Sequence, residues 1–320
     1  SCADFILRVR DLEKGTDLSG FDITKVTDVA WGNDSRSVFY TIVNDALRPW
    51  RVYRHDIMGT NPGVVIFEEP DELFIVNIQK TKTEAFILIS SHSFTTSEYS
   101  ILNADTPFAL PEVFIPRIKD VDYGVYHHRD KFFIQYKDKQ NLNGKIYEAP
   151  LSGYRDASTW KEVMPHSDDA MIDYLDIFDS FYAVQIRRNG LMEIVVKGIS
   201  QPFEIPLPSY NSKKLRYKYS SLNRPNTVYE YDFREGISEI IKETVIPSGF
   251  NADDYTVERV YATASEGTKV PVSLLYKNGI RKDGSNPALL YSYGSYGCSS
   301  DARFISTFFC LVDRGFVFAL

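Results

Sequence analysis

Hydrophobic and polar residues alternate with a period of two along most of the chain, in short runs closed by turn residues. Six segments share this form: ILRVRDLEKG (6–15), WRVYRHDIMG (50–59), SEYSILNADTP (97–107), GKIYEAPLSG (144–153), LMEIVVKG (191–198) and TVYEYDFREG (227–236). Strict alternation ending in Gly, Asp, Asn or Pro predicts a β-strand running into a turn. Five more apolar runs precede the later segments: SVFYTIV (37–43), AFILISS (85–91), KFFIQYK (131–137), SFYAVQI (180–186) and LRYKYSS (215–221). A strand that is apolar on both sides belongs in the middle of a stack of sheets. The spacing is regular as well. Gly15 and Gly59 lie 44 residues apart, Gly59 and Gly153 lie 94 apart, and Gly153 and Gly236 lie 83 apart. The last two intervals are near-doubles of a period in the forties, which marks a repeat architecture.

A period in the forties holding about four antiparallel strands is one blade of a β-propeller, whose sheets bury both faces against their neighbours. A β-sandwich of similar hairpins is the alternative, although sandwiches rarely keep so even a spacing. Counted as blades, residues 1–250 hold five fairly complete units and the outer part of one more. An open ring leaves strand edges and apolar faces uncovered, so further blade material is expected before Ser1.

Past residue 250 the pattern changes. TVERVYATASEGTKVPVSLLYK (256–277) predicts a long hairpin turning near SEGTK, followed by a polar loop, NGIRKDGSNP (278–287). The apolar ALLYSYGSYG (288–297) follows, and then RFISTFFCLVDRGF (303–316), amphipathic and helix-like as far as Gly315, leads into the strand-like FVFAL. Strand, loop, helix, strand is the opening of an α/β domain.

Composition narrows the functional classes. The 320 residues are 43% hydrophobic and 25% charged, with 21 Tyr and 21 Phe that suit pleated, half-buried surfaces. A net charge of −7 argues against nucleic acid and anionic membrane as partners, since both require a positive field. The chain contains no run of eighteen apolar residues, and its first residues lack the basic and apolar regions of a signal peptide. Cys2, Cys298 and Cys310 are sparse and lack metal-ligand spacing, which fits a reducing compartment, and a cytoplasmic location is expected. No pattern specifies an oligomeric state. The acidic stretches FEEPDE (67–72) and HSDDA (166–170) are read as solvated loops.

Several stretches carry a family resemblance: DVAWGNDSRSVFYT (28–41), RVYRHDIMGT (51–60), SSHSFTTSEY (90–99), IYEAPLSG (146–153), SSLNRPNTVYEYD (220–232), ERVYATASEGTKVPVSLLYK (258–277) and YSYGSYG (291–297). The chain resembles the prolyl oligopeptidase family of serine peptidases, most of all its oligopeptidase B branch. The resemblance implies a mainly β fold: an incomplete seven-bladed β-propeller, about five to six blades present over 1–250, followed at 251–320 by the first strands and helix of an α/β-hydrolase domain. It also implies cleavage of short peptides after Arg or Lys through an acyl-enzyme, with no metal or cofactor. The propeller would cover the site and keep large folded substrates out.

Acyl transfer needs an activated Ser, a His base, an orienting acid and donors aimed at the oxyanion. No G-x-S-x-G elbow occurs in the chain. His55, His92, His127, His128 and His166 all fall in the blade region, where polar rim or turn roles are expected. In the family the triad follows the point at which this sequence stops, so the chain by itself is expected to be inactive. One catalytic element lies inside. The family motif Y-G-Y-G-[SG]-[YF] places an oxyanion-hole tyrosine at Tyr293, and the plain alternative is a strand-end aromatic whose hydroxyl bonds to the scaffold. By the same resemblance Tyr296 lines the substrate pocket, Gly294 and Gly297 give backbone freedom around it, and Tyr291 belongs to the strand. Ser292 replaces the usual Gly. Oligopeptidase B enzymes carry two acids one residue apart just beyond the motif, as contacts for a basic substrate side chain; here those positions are Asp301 and Arg303, which keeps one acid for substrate binding and reverses the other charge. Two further readings stand beside this one: a non-catalytic propeller binding peptides or proteins, and a related exopeptidase trimming dipeptides, whose members usually differ at YGSYG.

Overall fold

Alternation decides how the sheets stack. In the strand Phe86–His92, Ile87 and Ile89 point to one face and Leu88 to the other, and all three are fully buried. Ile87 and Ile89 join Phe39 and Val52 in one apolar cluster, whereas Leu88 joins Phe132 and Ile134 in the next. A single strand therefore takes part in two cores, and the sheet containing it is packed on both sides.

The computed structural model describes residues 5–59, 63–198, 212–296 and 298–320. It is mainly β. The first sheet runs Phe5–Leu7, Ile23–Trp31, Ser37–Val43, Pro49–Asp56, Val64–Glu68, each pair antiparallel. The second runs Glu112–Val113, Ser97–Asn103, Phe86–His92, Ile75–Lys80, and the third Asp122–His128, Lys131–Lys137, Lys145–Pro150, Lys161–Met164. A fourth is formed by Ala170–Ile177, Phe181–Arg188 and Leu191–Gly198, and a fifth by Lys214–Ser221, Arg224–Asp232 and Ile237–Glu243. Four of the five apolar runs become inner strands of their sheets, and Ser37–Val43 is buried at all but one position. The fifth, Lys214–Ser221, lies at an edge of its sheet and is only partly covered. The first repeat segment is divided: Phe5–Leu7 joins the first sheet, while Arg10–Asp11 pairs with Thr16–Asp17 in a small hairpin.

Two compact units result. Described residues within Ser1–Val184 and Val196–Ile199 form one, and those within Gln185–Val195 and Ser200–Leu320 form the other. In the second unit the predicted long hairpin is present, with Tyr255 opposite Lys277 and Thr263 opposite Lys269, and Gly267 turning it at φ +89°. Val317–Ala319 adds antiparallel to Lys269–Lys277, and Ala288–Leu290 pairs parallel with Val317–Ala319.

Two expectations need correction in the first unit. The FEEPDE turn is not wholly solvated, because Glu69 is only 3% exposed. Burial, which would raise its pKa, is outweighed by donation from Arg117 (2.5 Å), Ser91 and the Asp71 amide, so the carboxyl is held below its usual range. Arg117 also stacks 3.8 Å from the Phe74 ring centre, and the Arg48 guanidinium donates to the carbonyls of Glu69, Asp71 and Phe74. The acidic turn is thus a clamp between the first and second sheets, since a buried carboxylate is tolerated only when paired and hydrogen-bonded. Asp168 and Asp169, in the other acidic stretch, are exposed as expected.

Three of the five histidines also differ from rim or turn positions, as His55, His127 and His128 are buried within strands. His55 packs 4.4 Å from Phe21, His127 packs edge-on against Phe86 and hydrogen-bonds Thr83 at 2.6 Å, and His128 bonds the Asp179 carbonyl at 2.9 Å. Their flat rings fill the apolar stack, which neither a loop nor a rim requires.

Removing the Leu88 side chain from its core should be costly. Leu88→Ala is expected to destabilise by about 2–5 kcal/mol in urea unfolding followed by far-UV circular dichroism, whereas Leu142→Ala, at an exposed loop position, changes stability by no more than about 0.5 kcal/mol. Equal effects would show that Leu88 does not carry core packing. Burial also lowers the pKa of His127 and of His128. Both are neutral in the folded and unfolded states above the unfolded value of about 6.5, and as pH falls through it the unfolded chain takes up protons first. The thermal midpoint is therefore expected to fall below about pH 6.5, and the double variant His127→Gln, His128→Gln to show a shallower fall.

Candidate functional site

The Tyr291–Tyr296 loop leaves the carboxyl end of Ala288–Leu290 at the point where the sheet runs parallel. The Tyr291 amide donates to the Ala319 carbonyl at 2.8 Å, which carries the ladder one residue past the strand and fixes the start of the loop. Tyr291 thus extends the strand, as expected. Gly294 then takes φ +68° with open space where a Cβ would stand, so a turn conformation there uses glycine's freedom. Gly297 lies outside the described residues. Tyr296 also takes a left-handed conformation, φ +54°, one that a bulky side chain adopts only at a cost of order 1–3 kcal/mol. The loop closes with a 2.9 Å bond from the Cys298 amide to the Ser295 carbonyl.

Both tyrosines are presented outward. Tyr293 is 56% exposed and Tyr296 79% exposed. Tyr293 makes no hydrogen bond among the described residues, so its hydroxyl is not tied to the scaffold. A phenol at the carboxyl end of a parallel strand, with its donor unspent, can offer a hydrogen bond to a developing negative charge.

Asp301 lies on the same connection and is already engaged. Its Oδ1 accepts from the Arg187 guanidinium at 2.6 Å, with the Arg187 side chain 15% exposed and that of Asp301 49% exposed. Arg303 turns back so that its amide donates to the Asp301 carbonyl at 2.8 Å. The expected single acid is therefore present but carries a resident cation. Sequence reasoning did not find Arg187, which lies 114 residues away in a strand whose alternation signals only pairing. Among the described residues no three His, Cys, Asp or Glu side chains gather into a metal-binding group.

The following helix is shorter than predicted. Residues 303–305 stay extended because the Phe304 amide donates to Ser220 Oγ at 2.9 Å, and the helical part is a 3₁₀ turn, Ser306–Phe308, continued by the α-helix Phe309–Val312. Its end is as expected: Gly315 at φ +88° allows its amide to reach the Val312 carbonyl and that of Phe316 to reach Leu311, the double bond of a Schellman stop. Phe309 and Val312 seal against Leu275 and Phe318, with Phe308 stacked 4.1 Å from Phe318. This packing holds the base of the tyrosine loop.

A family model described as the prolyl oligopeptidase N-terminal β-propeller domain matches residues 5–244. The chain belongs to the prolyl oligopeptidase family. Among curated relatives of this family member, dipeptidyl aminopeptidase BI of Pseudoxanthomonas mexicana is 33% identical over 99% of the chain and 46% of its own length. Protease 2 of Moraxella lacunata is 27% identical over 98% of the chain and 47% of its own length. The solved structure of oligopeptidase B from Leishmania major superposes with a TM-score of 0.87 at 27% identity, covering 97% of the chain and 47% of that structure. The chain thus spans about half the length of the relatives it matches, and those relatives are named as peptidases. The β-propeller assigned from the repeats agrees with the matched family domain.

Gly315→Ala is expected to cost about 1 kcal/mol in chemical unfolding, since open space surrounds the site and only the backbone conformation resists a Cβ. Gly315→Asn, which tolerates the left-handed region better, should recover part of that loss. An Ala variant as stable as the wild type would show that the Schellman stop does not hold the helix end.

Proposed function

We propose that this chain is part of a serine oligopeptidase that hydrolyses short peptides, after Arg or Lys, through an acyl-enzyme. The observation that carries the reading is Tyr293, an outward-facing phenol without an internal hydrogen bond, on a strained loop at the carboxyl end of a parallel strand. Tyr293 is the oxyanion-hole donor in this proposal, and Tyr296 lines the substrate pocket beside it. Residues 1–250 then belong to a seven-bladed propeller, with about five to six blades present, and residues 251–320 open an α/β-hydrolase domain. Short peptides are the substrates, the working compartment is the cytoplasm, and no metal or cofactor takes part.

Asp301 is the remaining acid for a basic substrate side chain, and it is opposed twice. Arg187 already neutralises it, and Arg303 brings a second positive charge nearby in sequence. A basic residue placed there must displace an existing ion pair, so the proposed enzyme favours substrates with one basic residue at the cleaved bond over those with two in succession. The chain has no G-x-S-x-G, and by itself it does not turn over peptides in this reading. A second reading is favoured by the 33% identity with a dipeptidyl aminopeptidase: release of dipeptides from a free amino terminus.

The test compares residues 1–320 with a protein carrying this chain together with the catalytic half of the fold. On a chromogenic peptide ending in Arg, the longer protein is expected to be active and residues 1–320 silent, and Tyr293→Phe in the longer protein should lower kcat about 10²- to 10³-fold. Turnover by residues 1–320 alone would sink the proposal, as would an unaltered kcat in the Phe variant. Loss of all activity when the substrate's amino terminus is acetylated would decide for the dipeptidyl reading.

A further inference from the structure

Two adjoining cavities in the first unit share Tyr99 and Asp122 as walls. The larger, of about 340 Å³, is lined by Asn77, Ser90, His92 and Ser93 together with the shared pair, and the smaller, of about 160 Å³, adds Tyr126, Gln135, Lys137 and Asp173. The larger is within the size range of small-molecule sites. Asp122 opens the strand Asp122–His128, and its exposed carboxylate makes neither an ion pair nor a hydrogen bond among the described residues. No Lys or Arg lines the larger cavity. Burial holds the His92 imidazole below its ordinary pKa against the opposing pull of Asp122, so at neutral pH the ring is uncharged and Asp122 supplies the only charge on that wall.

We infer that the larger cavity is a binding site for a small organic cation, a primary ammonium or a guanidinium. The carboxylate of Asp122 supplies the counter-charge, and hydroxyl and amide oxygens of Ser90, Ser93 and Asn77 accept the remaining N–H groups. The Tyr99 ring gives a face of the kind on which such cations rest. An anion meets the Asp122 carboxylate and no Lys or Arg on the wall of this cavity. A bare metal ion finds one carboxylate and no cluster of ligands, in a space many times its size. The smaller cavity is less suited, because Lys137 stands directly across the strand pair from Asp122 and already brings a positive charge to that side. The site is independent of the peptidase reading, being built wholly from the sheets of the first unit.

The experiment is a titration of residues 1–320 by isothermal calorimetry with agmatine as the free organic cation, and with the blocked peptide acetyl-Gly-Arg-Gly-amide as the peptide-borne one. The norvaline analogue of the peptide is the uncharged control. Saturable binding of at least one guanidinium probe is expected, weakened by salt and absent with norvaline. Asp122→Asn should weaken it about tenfold or more, the loss of one charge-assisted hydrogen bond. Lys137→Met, which removes the competing cation, should tighten it about two- to fivefold. Binding of agmatine alone identifies a free amine as the ligand, and binding of the peptide identifies a peptide side chain. No saturation at tens of millimolar with either probe overturns the inference, as does an affinity that both variants leave unchanged.

Discussion

The structure depends on strands that bury both of their faces. Leu88 faces one core while its neighbours Ile87 and Ile89 face another, and Phe132 and Phe133 repeat the arrangement one sheet further on, Phe133 meeting Tyr182 at 5.4 Å. Because adjacent residues on one strand serve different cores, a one-residue slip of register would exchange two packed surfaces at once. This explains why the inner strands are so apolar and so rich in aromatics, and why polar residues collect on outer strands and turns. It also explains the three buried histidines. In a stack of sheets a flat ring is an acceptable filler, with one nitrogen hydrogen-bonded in His127 and His128, at the cost of a lowered pKa.

The links between sheets are held by charge rather than by apolar contact alone. Glu69 and Arg48 gather the carbonyls and amides of the turn between the first two sheets, and Arg117 caps the same point through both its ion pair and the Phe74 ring. Such a buried pair gains little over an apolar substitute, but removing either partner would leave a buried charge without its counter-charge.

The candidate site follows a different rule. A parallel strand pair leaves its carboxyl end open for a loop, and here that loop carries exposed tyrosines and a left-handed Tyr296 on a base sealed by Phe308, Phe309 and Phe318. Strain in the loop and rigidity beneath it together keep the phenol of Tyr293 directed outward. Asp301, on the same connection, shows how a long-range cation can alter the chemistry of an acid position singled out in the sequence: its charge is answered by Arg187 within the folded chain.

Local pattern by itself determined a large part of this. The period-two runs located eleven of the nineteen described strands of the five sheets, the SEGTK turn located the long hairpin, and Gly315 located the helix end, because each is governed by interactions within a few residues. The YSYGSYG stretch marked the loop that presents Tyr293 and Tyr296. Tertiary structure alone decided the rest. The extended start of residues 303–305 rests on Ser220, the burial of Glu69 on Arg117, the division of the first repeat segment on the pairing of Phe5–Leu7 with Ile23–Trp31, and the ion pair of Asp301 on Arg187. Each of these partners is distant along the chain. An alternation pattern states which face of a strand is buried, but it carries no information about which remote charge or hydroxyl will meet it there.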